Sequence, residues 1–290
     1  MSLPPGRRTP AQRIRLLVSD IDGTLLTPDK RLTDQTIAAA GRLRAAGVKL
    51  CLVSSRPARG MHQFLQPLGI DTPRAGLNGG EIVSPDHRVL ATRAMERESL
   101  RIVLDMLQEH HVHCWLFAGQ DWFIQAGPEP YVPKERRAIG YDPVVVSNLR
   151  DVTGAVGKLT GSSNDYALLE RMEIELGALI GDRVSARRSA DYYLDVTHPD
   201  ANKGQALLDL AAMLRVPADE VACIGDMSND VPMLRQAGLG IAMGNASDAV
   251  AAEAHLVSEA NDREGWAFAV NEFILPRAPG HEADELRAGP

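Results

Sequence analysis

The stretch Leu16-Leu17-Val18-Ser19-Asp20-Ile21-Asp22-Gly23-Thr24-Leu25 decides how the rest of the chain is read. Ile14 to Ser19 is a short apolar run, the pattern of a strand buried on both faces. Open α/β sheets bind ligands beyond the carboxyl ends of such strands, where Asp20 and Asp22 fall. In extended backbone, residues two apart face the same side, so the two carboxylates address one site. Like charges that close are unfavourable without a cation beside them, which points to a bound metal. Gly23 lets the chain turn at once. Taken alone, a solvated strand-end turn of Asp and Gly reads the same way.

Working outward, the spacing predicts a helix after Thr33, with Thr33 as N-cap, Ile37, Ala40 and Leu43 on one face and Gly47 as the stop. Val48 to Val53 reads as a second buried strand, Pro57 to about Leu65 as a helix, and Arg74 to Leu77 as a third strand. That rhythm implies a parallel sheet with helices on its faces. The middle differs. A hairpin at Ile82 to Ala91, helices at Arg97–His110 and Asp165–Leu176, and strands at Val112–Phe117, Trp122–Gln125, Val156–Leu159, Arg183–Ser189 and Tyr192–Val196 describe an α+β unit, with a Pro-rich loop after Gln125. The βα rhythm returns with a helix at Lys203–Leu214, a strand at Val221–Ile224, a helix at Val231–Gln236 and a strand at Leu239–Ala242. The fold class is therefore α/β, a Rossmann-like parallel-sheet core of residues 13–82 and 197–275 interrupted by an inserted α+β domain of residues 83–196. Residues 1–12 read as a disordered N-terminus and 276–290 as a flexible tail.

Composition sets outer bounds. The 290 residues are 44% hydrophobic and 24% charged, ordinary for a soluble globular chain. A net charge of -7 argues against nucleic acid as partner, because phosphate backbones need a basic face. No run is long and apolar enough to span a membrane, and no signal peptide opens the chain, so a cytoplasmic location is expected. Cys51, Cys114 and Cys223 lack metal spacing and read as buried small hydrophobes. His110, His111 and His113 sit at a spacing that would scatter their rings rather than gather a metal. Nothing in the sequence fixes the oligomeric state.

Three further loops carry polar chemistry. Val53-Ser54-Ser55-Arg56 ends the second strand, where a hydroxyl and backbone N–H groups could hold a phosphate oxygen or merely cap a helix. Asn202-Lys203-Gly204 opens an amphipathic helix, and a lysine at a helix start calls for an anion nearby unless it is simply solvated. Gly225-Asp226-Met227-Ser228-Asn229-Asp230 follows a buried strand, and its acids could give oxygens to a hard cation or form a turn. Each alternative is sound singly. Four such loops in one sheet supply the nucleophile, charge neutralisation and metal that phosphoryl transfer requires.

In order and spacing, DIDGTLL, SSR, the lysine of NKGQAL and GDMSNDVPML resemble the four motifs of the haloacid dehalogenase superfamily. GLGIAMGNA and NDREGWAFAV are similar to its Cof-type, class IIB branch. The resemblance implies Asp20 as a nucleophile forming an aspartyl-phosphate and Asp22 as the general acid and base. It implies Ser54, Ser55, Lys203 and Asn229 as phosphate contacts, and Asp20, Asp22, Asp226 and Asp230 as the Mg2+ site, Asp22 through its carbonyl. It departs at Ser54, often threonine, and at Ser55, usually glycine. The implied activity is a magnesium-dependent phosphatase on a small phosphorylated metabolite, a sugar phosphate being expected, with residues 83–196 as a cap. A phosphomutase of the same fold, or a non-catalytic phosphometabolite-binding regulator, are the other readings. The run Arg136-Arg137 and the pair Arg187-Arg188 could take a second anion, though solvated arginines are the commoner case.

Overall fold

The apolar run before Asp20 forms strand β1 (Leu16–Ser19), and all four of its residues are buried. A computed structural model describes residues 10–280. After β1 come α1 (Asp34–Ala45), β2 (Lys49–Leu52), α2 (His62–Leu68), β3 (Arg74–Gly76), β4 (Glu81–Val83) and β5 (Val89–Thr92). The middle holds α3 (Arg97–Glu109), β6 (His113–Ala118), β7 (Asp121–Gln125), α4 (Val132–Ile139), β8 (Val144–Val146), β9 (Val156–Ser162), α5 (Tyr166–Ile180), β10 (Ser185–Ala190) and β11 (Tyr193–Thr197). The chain closes with α6 (Lys203–Met213), β12 (Val221–Gly225), α7 (Val231–Gln236), β13 (Leu239–Ala242), α8 (Asp248–Ala251), β14 (Leu256–Val257) and α9 (Gly265–Ala269).

Five strands form a parallel sheet in the order β14-β13-β12-β1-β2. Alternation along β1 explains its burial. Leu17 joins a cluster with Leu43, Leu52, Trp266 and Val270 on one face, while Leu16 and Val18 join Leu207, Leu210 and Met233 on the other. Ser19 pairs with Ile224 of β12 and Leu52 of β2, so the loops after β1, β2 and β12 leave the same sheet edge. The helices that cover the sheet start as their sequences indicate. Thr33 accepts a hydrogen bond from Thr36 N, and Asn202 accepts one from Gln205 N.

A second sheet runs β10-β11-β9-β6-β7-β8, antiparallel except for β7 beside β8. One face packs under α3 and α5 through Leu104, Leu107, Leu116, Leu159, Leu169 and Met172. The other presents Trp115, Phe117, Trp122 and Ile124 to Ile139 of α4 and to Leu77 from the first unit. Among the described residues no helix is long and apolar enough to cross a membrane.

Several expectations need correction. The strand at Arg74 does not extend the parallel sheet as a full member. It meets the end of β2 at one parallel bridge, Val53 to Ala75, before a turn with Asn78 at φ 56° folds it antiparallel onto β4. Pro57 is extended, and a single 3-10 turn, Ala58–Met61, precedes α2. The Pro-rich loop contains α4 and β8; Pro133 falls at a helix start, where its missing N–H costs nothing. The proposed tails are tighter than expected where they are described. Ala11 N donates to Gly238 O and Ile14 N to Arg277 O, tying residues 11 and 277 to the core. Residues 1–9 and 281–290, read from sequence as disordered, lie outside the described residues.

Candidate active site

Asp20 leaves β1 at the sheet edge, 4% exposed. Its backbone is fixed on both sides: Asp20 N donates to Ile224 O, and Ser19 Oγ donates to Asp20 O while accepting from Trp266 Nε1. Lys203, at the first turn of α6 and 2% exposed, puts Nζ 2.6 Å from Asp20 Oδ1 and 2.6 Å from Asp230 Oδ1. The anionic partner that its place at a helix start calls for is therefore present twice. Asp230 is fully buried, and its other oxygen accepts from Asp226 N and Met227 N at 2.9 Å each. Asp230 thus braces the loop that carries Asp226.

Asp226 accepts from Thr24 Oγ1 at 2.8 Å and from Asn245 Nδ2 at 3.3 Å. Gly23, at φ 85°, is required here on a second ground: a Cβ would lie 2.3 Å from Asp226 Oδ2. One ligand atom each from Asp20, Asp226 and Asp230 lie within 4.8 Å of one another. Burial raises the Asp20 carboxyl well above the ordinary range; Lys203 opposes the shift, and Asp230 and Asp226 reinforce it. Asp226 is pushed up to about 6, by burial first and by Asp230 among its neighbours. Lys203 goes the other way from a buried amine, because Asp20 and Asp230 outweigh its desolvation and raise it. Three buried carboxylates share one lysine. The site is short of positive charge, which fits a hard divalent cation held by oxygens. Asp20 keeps Oδ2 for such an ion, Asp226 carries one neutral donor on each oxygen, from Thr24 and Asn245, and both oxygens of Asp230 already serve Lys203 and the loop.

Asp22 stands apart from that group. Arg56 takes both its oxygens, Nε to Oδ2 and Nη2 to Oδ1 at 2.6 Å each, and Lys30 Nζ reaches Oδ1 at 2.8 Å. Burial works to raise this carboxyl, but Arg56 and then Lys30 prevail and hold it below the ordinary range. The carboxylate of Asp22 is thus ionised, and it does not join the three acids.

Ser54 is buried, with Oγ accepting from Arg56 N. Ser55 offers its carbonyl to Lys158 Nζ at 3.3 Å, a contact from β9 that ties the two sheets across the site. Asn229 is exposed and donates to Asn78 Oδ1 at 3.1 Å, joining the Asp226 loop to the Asn78 turn. The two arginine pairs differ from the anion-binding option. Arg187 and Arg188 face Glu173, and Arg188 also Glu170, while Arg136 meets Asp142. Arg137 alone of the four lines the cavity beside Asp22.

Several residues at the site were not assigned from sequence. Arg56 stood in the SSR motif without a role, and Asn245 in the GLGIAMGNA run; their placement in quoted motifs was the available signal. Thr24 stood in the opening motif without a role of its own. Lys30 and Lys158 carry no local sign at all, since their partners arrive through the tertiary fold.

The comparisons with known proteins agree with this architecture. A family model described as haloacid dehalogenase-like hydrolase matches residues 17–270. A pyridoxal phosphate phosphatase of Escherichia coli is 30% identical over 280 residues, covering 90% of this chain and 99% of the relative. An HMP-PP phosphatase of Klebsiella pneumoniae is 32% identical over 240 residues, covering 82% and 87%. A crystal structure of a haloacid dehalogenase-like hydrolase from Bacteroides thetaiotaomicron superposes with a TM-score of 0.83 at 26% identity, covering 90% of this chain and all of that one. The chain therefore belongs to the haloacid dehalogenase-like hydrolase family and is one of its phosphatases.

Proposed function

We propose that the chain hydrolyses the phosphomonoester of a small metabolite through an aspartyl-phosphate on Asp20, with magnesium bound at Asp20 and Asp226 and steadied by Asp230. One observation carries the reading: the buried Asp20 carboxylate accepts from Lys203 and is clustered with two further acids, at the carboxyl end of a parallel strand. When bound, the ion would offset the repulsion between these carboxylates and an incoming phosphate.

The chain's own residues account for the remaining work. An oxygen of Asp20 attacks phosphorus as the bond to the ester oxygen breaks, and Asp22 gives that oxygen its proton. Water then attacks the phosphoryl group, Asp22 removes the water's proton, and phosphate leaves Asp20. Lys203 and the Ser54 hydroxyl neutralise and bind the phosphoryl oxygens, with Ser55 and Asn229 at the margin of that pocket. Asp22 is poised as the base; to act as the acid it must first gain a proton, which requires Lys30 or Arg56 to relax its hold. Lys30, with its side chain 57% exposed, is the freer of the two.

Residues 83–196 act as a cap in this reading, since α4 and β9 reach the Asp22 side of the site. The similar proteins named for pyridoxal phosphate and HMP-PP support a small phosphorylated metabolite as the substrate class, within which a sugar phosphate is our reading. The test is phosphate release from para-nitrophenyl phosphate with and without added magnesium. Magnesium-dependent release supports the reading; none across several divalent metals overturns it.

A further inference from the structure

Between the parallel sheet and the inserted unit lies a cavity of ≈ 510 Å³, with Asp22, Lys30 and Arg56 at one end and Glu135, Lys158, Tyr193 and Asp195 on its wall. Nearly every charge facing it is already matched. Asp22 has Arg56 and Lys30; Asp195 accepts from Thr160 Oγ1 at 2.7 Å and lies 3.5 Å from Lys158; Lys134 donates to the Tyr192 hydroxyl. Arg137 stands exposed at the rim.

Two polar groups on that wall are left over. The carboxylate of Glu135 has no hydrogen bond or ion pair among the described residues, although it lies within the field of Lys158, Asp195, Arg56 and Asp22. The hydroxyl of Tyr193 is buried and has no hydrogen-bond partner among the described residues. Both line the same cavity, and the Glu135 charge acts on the Tyr193 phenol. A buried polar atom without a partner is costly, and a well-packed chain keeps few of them.

Both groups are held in place. The Tyr193 ring packs edge-on against Trp115 at 5.5 Å and Tyr192 at 4.6 Å. Helix α4 is fixed over the site by its last turn and the residues just after it: Arg56 Nη1 donates to Ala138 O, Gly60 lies so close that a Cβ would be 3.1 Å from Ile139 O, and the Arg59 guanidinium sits 4.2 Å from the ring centre of Tyr141 beyond the helix. Glu135 precedes Ala138 and Ile139 by three and four residues, so it shares their face of the helix.

We propose that Glu135 and Tyr193 determine specificity for the leaving group, receiving a hydrogen-bond donor, a hydroxyl or an ammonium, carried by the esterified metabolite. The inference rests on the phosphatase reading of the same cavity. Burial raises the Glu135 carboxyl above the ordinary range against the pull of Lys158; in its ionised form it takes donors only, and so favours a substrate rich in hydroxyls or bearing an amine over one whose second group is an anion. Tyr193 can give or accept and completes the contact.

The test compares kcat/KM for donor-bearing esters with kcat/KM for phenyl phosphate, which has no donor beyond its phosphate. Glucose 6-phosphate and pyridoxal phosphate supply hydroxyls, and phosphoethanolamine supplies an ammonium. In Glu135→Ala the ratio for the preferred donor-bearing ester falls by about tenfold or more, mostly through KM, the size expected when a site loses a hydrogen bond it was built to make. Tyr193→Phe moves the same ratio in the same direction. Glu135→Gln, which still accepts through its amide oxygen, restores part of the ratio for a hydroxyl ester and none for the ammonium ester. Ratios that stay fixed in Glu135→Ala for every ester overturn the proposal. Absence of phosphate release from phenyl phosphate by the wild-type protein instead overturns the phosphatase reading. In that case calorimetric binding of the same esters to Asp20→Asn and to Asp20→Asn/Glu135→Ala decides on Glu135 separately: equal affinities sink the proposal, and a loss confined to donor-bearing esters supports it.

Discussion

Arg56 holds both oxygens of Asp22 at 2.6 Å while its remaining nitrogen donates to Ala138 O of α4, so one guanidinium joins the acid/base to the inserted unit. The planar fork of arginine makes this possible, since a lysine offers no matching pair of parallel donors. The state of Asp22 and the seating of α4 are therefore coupled through a single side chain.

Loss of the fork should be visible in the pH profile. Arg56 and Lys30 hold the Asp22 carboxyl down against its burial, so Arg56→Ala should raise it. The limb of the kcat profile that reports Asp22 should move to higher pH by about one unit, equivalent to ~1.4 kcal/mol. Arg56→Lys should move it less. An unmoved limb in Arg56→Ala would remove Arg56 from the control of Asp22.

Lys203 should matter for folding as well as for rate. Its removal leaves Asp20 and Asp230 buried without their common cation. Breaking such a buried pair from one side costs on the order of 3 kcal/mol. Urea unfolding of Lys203→Met at pH 7.5 should show a loss of about that size, and phosphate release should fall below about one part in a thousand of wild type. Wild-type stability would mean that the acids are neutral in the folded chain.

Glu81 makes stability fall as pH rises. It is the buried first residue of β4, accepts from Ala58 N and is pushed up to about 7 by burial, against the pull of that hydrogen bond and of Arg74. The folded chain keeps the proton after the unfolded chain has lost it. Its contribution is full below the unfolded value near 4.5, and is lost progressively as pH rises to about 7. Glu81→Gln, which retains an acceptor for Ala58 N, should match wild type at pH 4.5 and exceed it by roughly 2–3 kcal/mol at pH 8. Equal denaturation midpoints at pH 8 would contradict the assignment.

The three clustered acids predict a stabilising ion. Millimolar magnesium should raise Tm by several degrees, because a ligand that binds only the folded chain stabilises it by mass action. The rise should vanish in Asp226→Asn. A similar rise in that variant would place the ion elsewhere.

Much of the core was legible because its signals are local. Asp20, Asp226 and Lys203 each follow or open an element whose periodicity marks it, and a parallel sheet necessarily brings such loops to one edge. What escaped depends on partners far along the chain. Arg56 meets Asp22 across 34 positions, marked only by its place in the SSR motif, and Lys158 meets the Ser55 carbonyl across 103 with nothing beside it to announce the contact. Helix α4 was missed because eight residues with Pro133 and four charges hold too little apolar periodicity to separate from a loop. Yet α4 carries Glu135 to the cavity. Residues 276 and 277 read as part of a tail, yet Arg277 O meets Ile14 N, a pairing set by tertiary structure alone.

The assignment of Asp20 as nucleophile is tested most directly by rapid acid quench during turnover of para-nitrophenyl phosphate, followed by peptide mass spectrometry. One phosphoryl group on Asp20 in the wild-type protein, with no adduct and no turnover in a folded Asp20→Asn variant, is the expected result. An adduct on another residue, or wild-type turnover by folded Asp20→Asn, would contradict it.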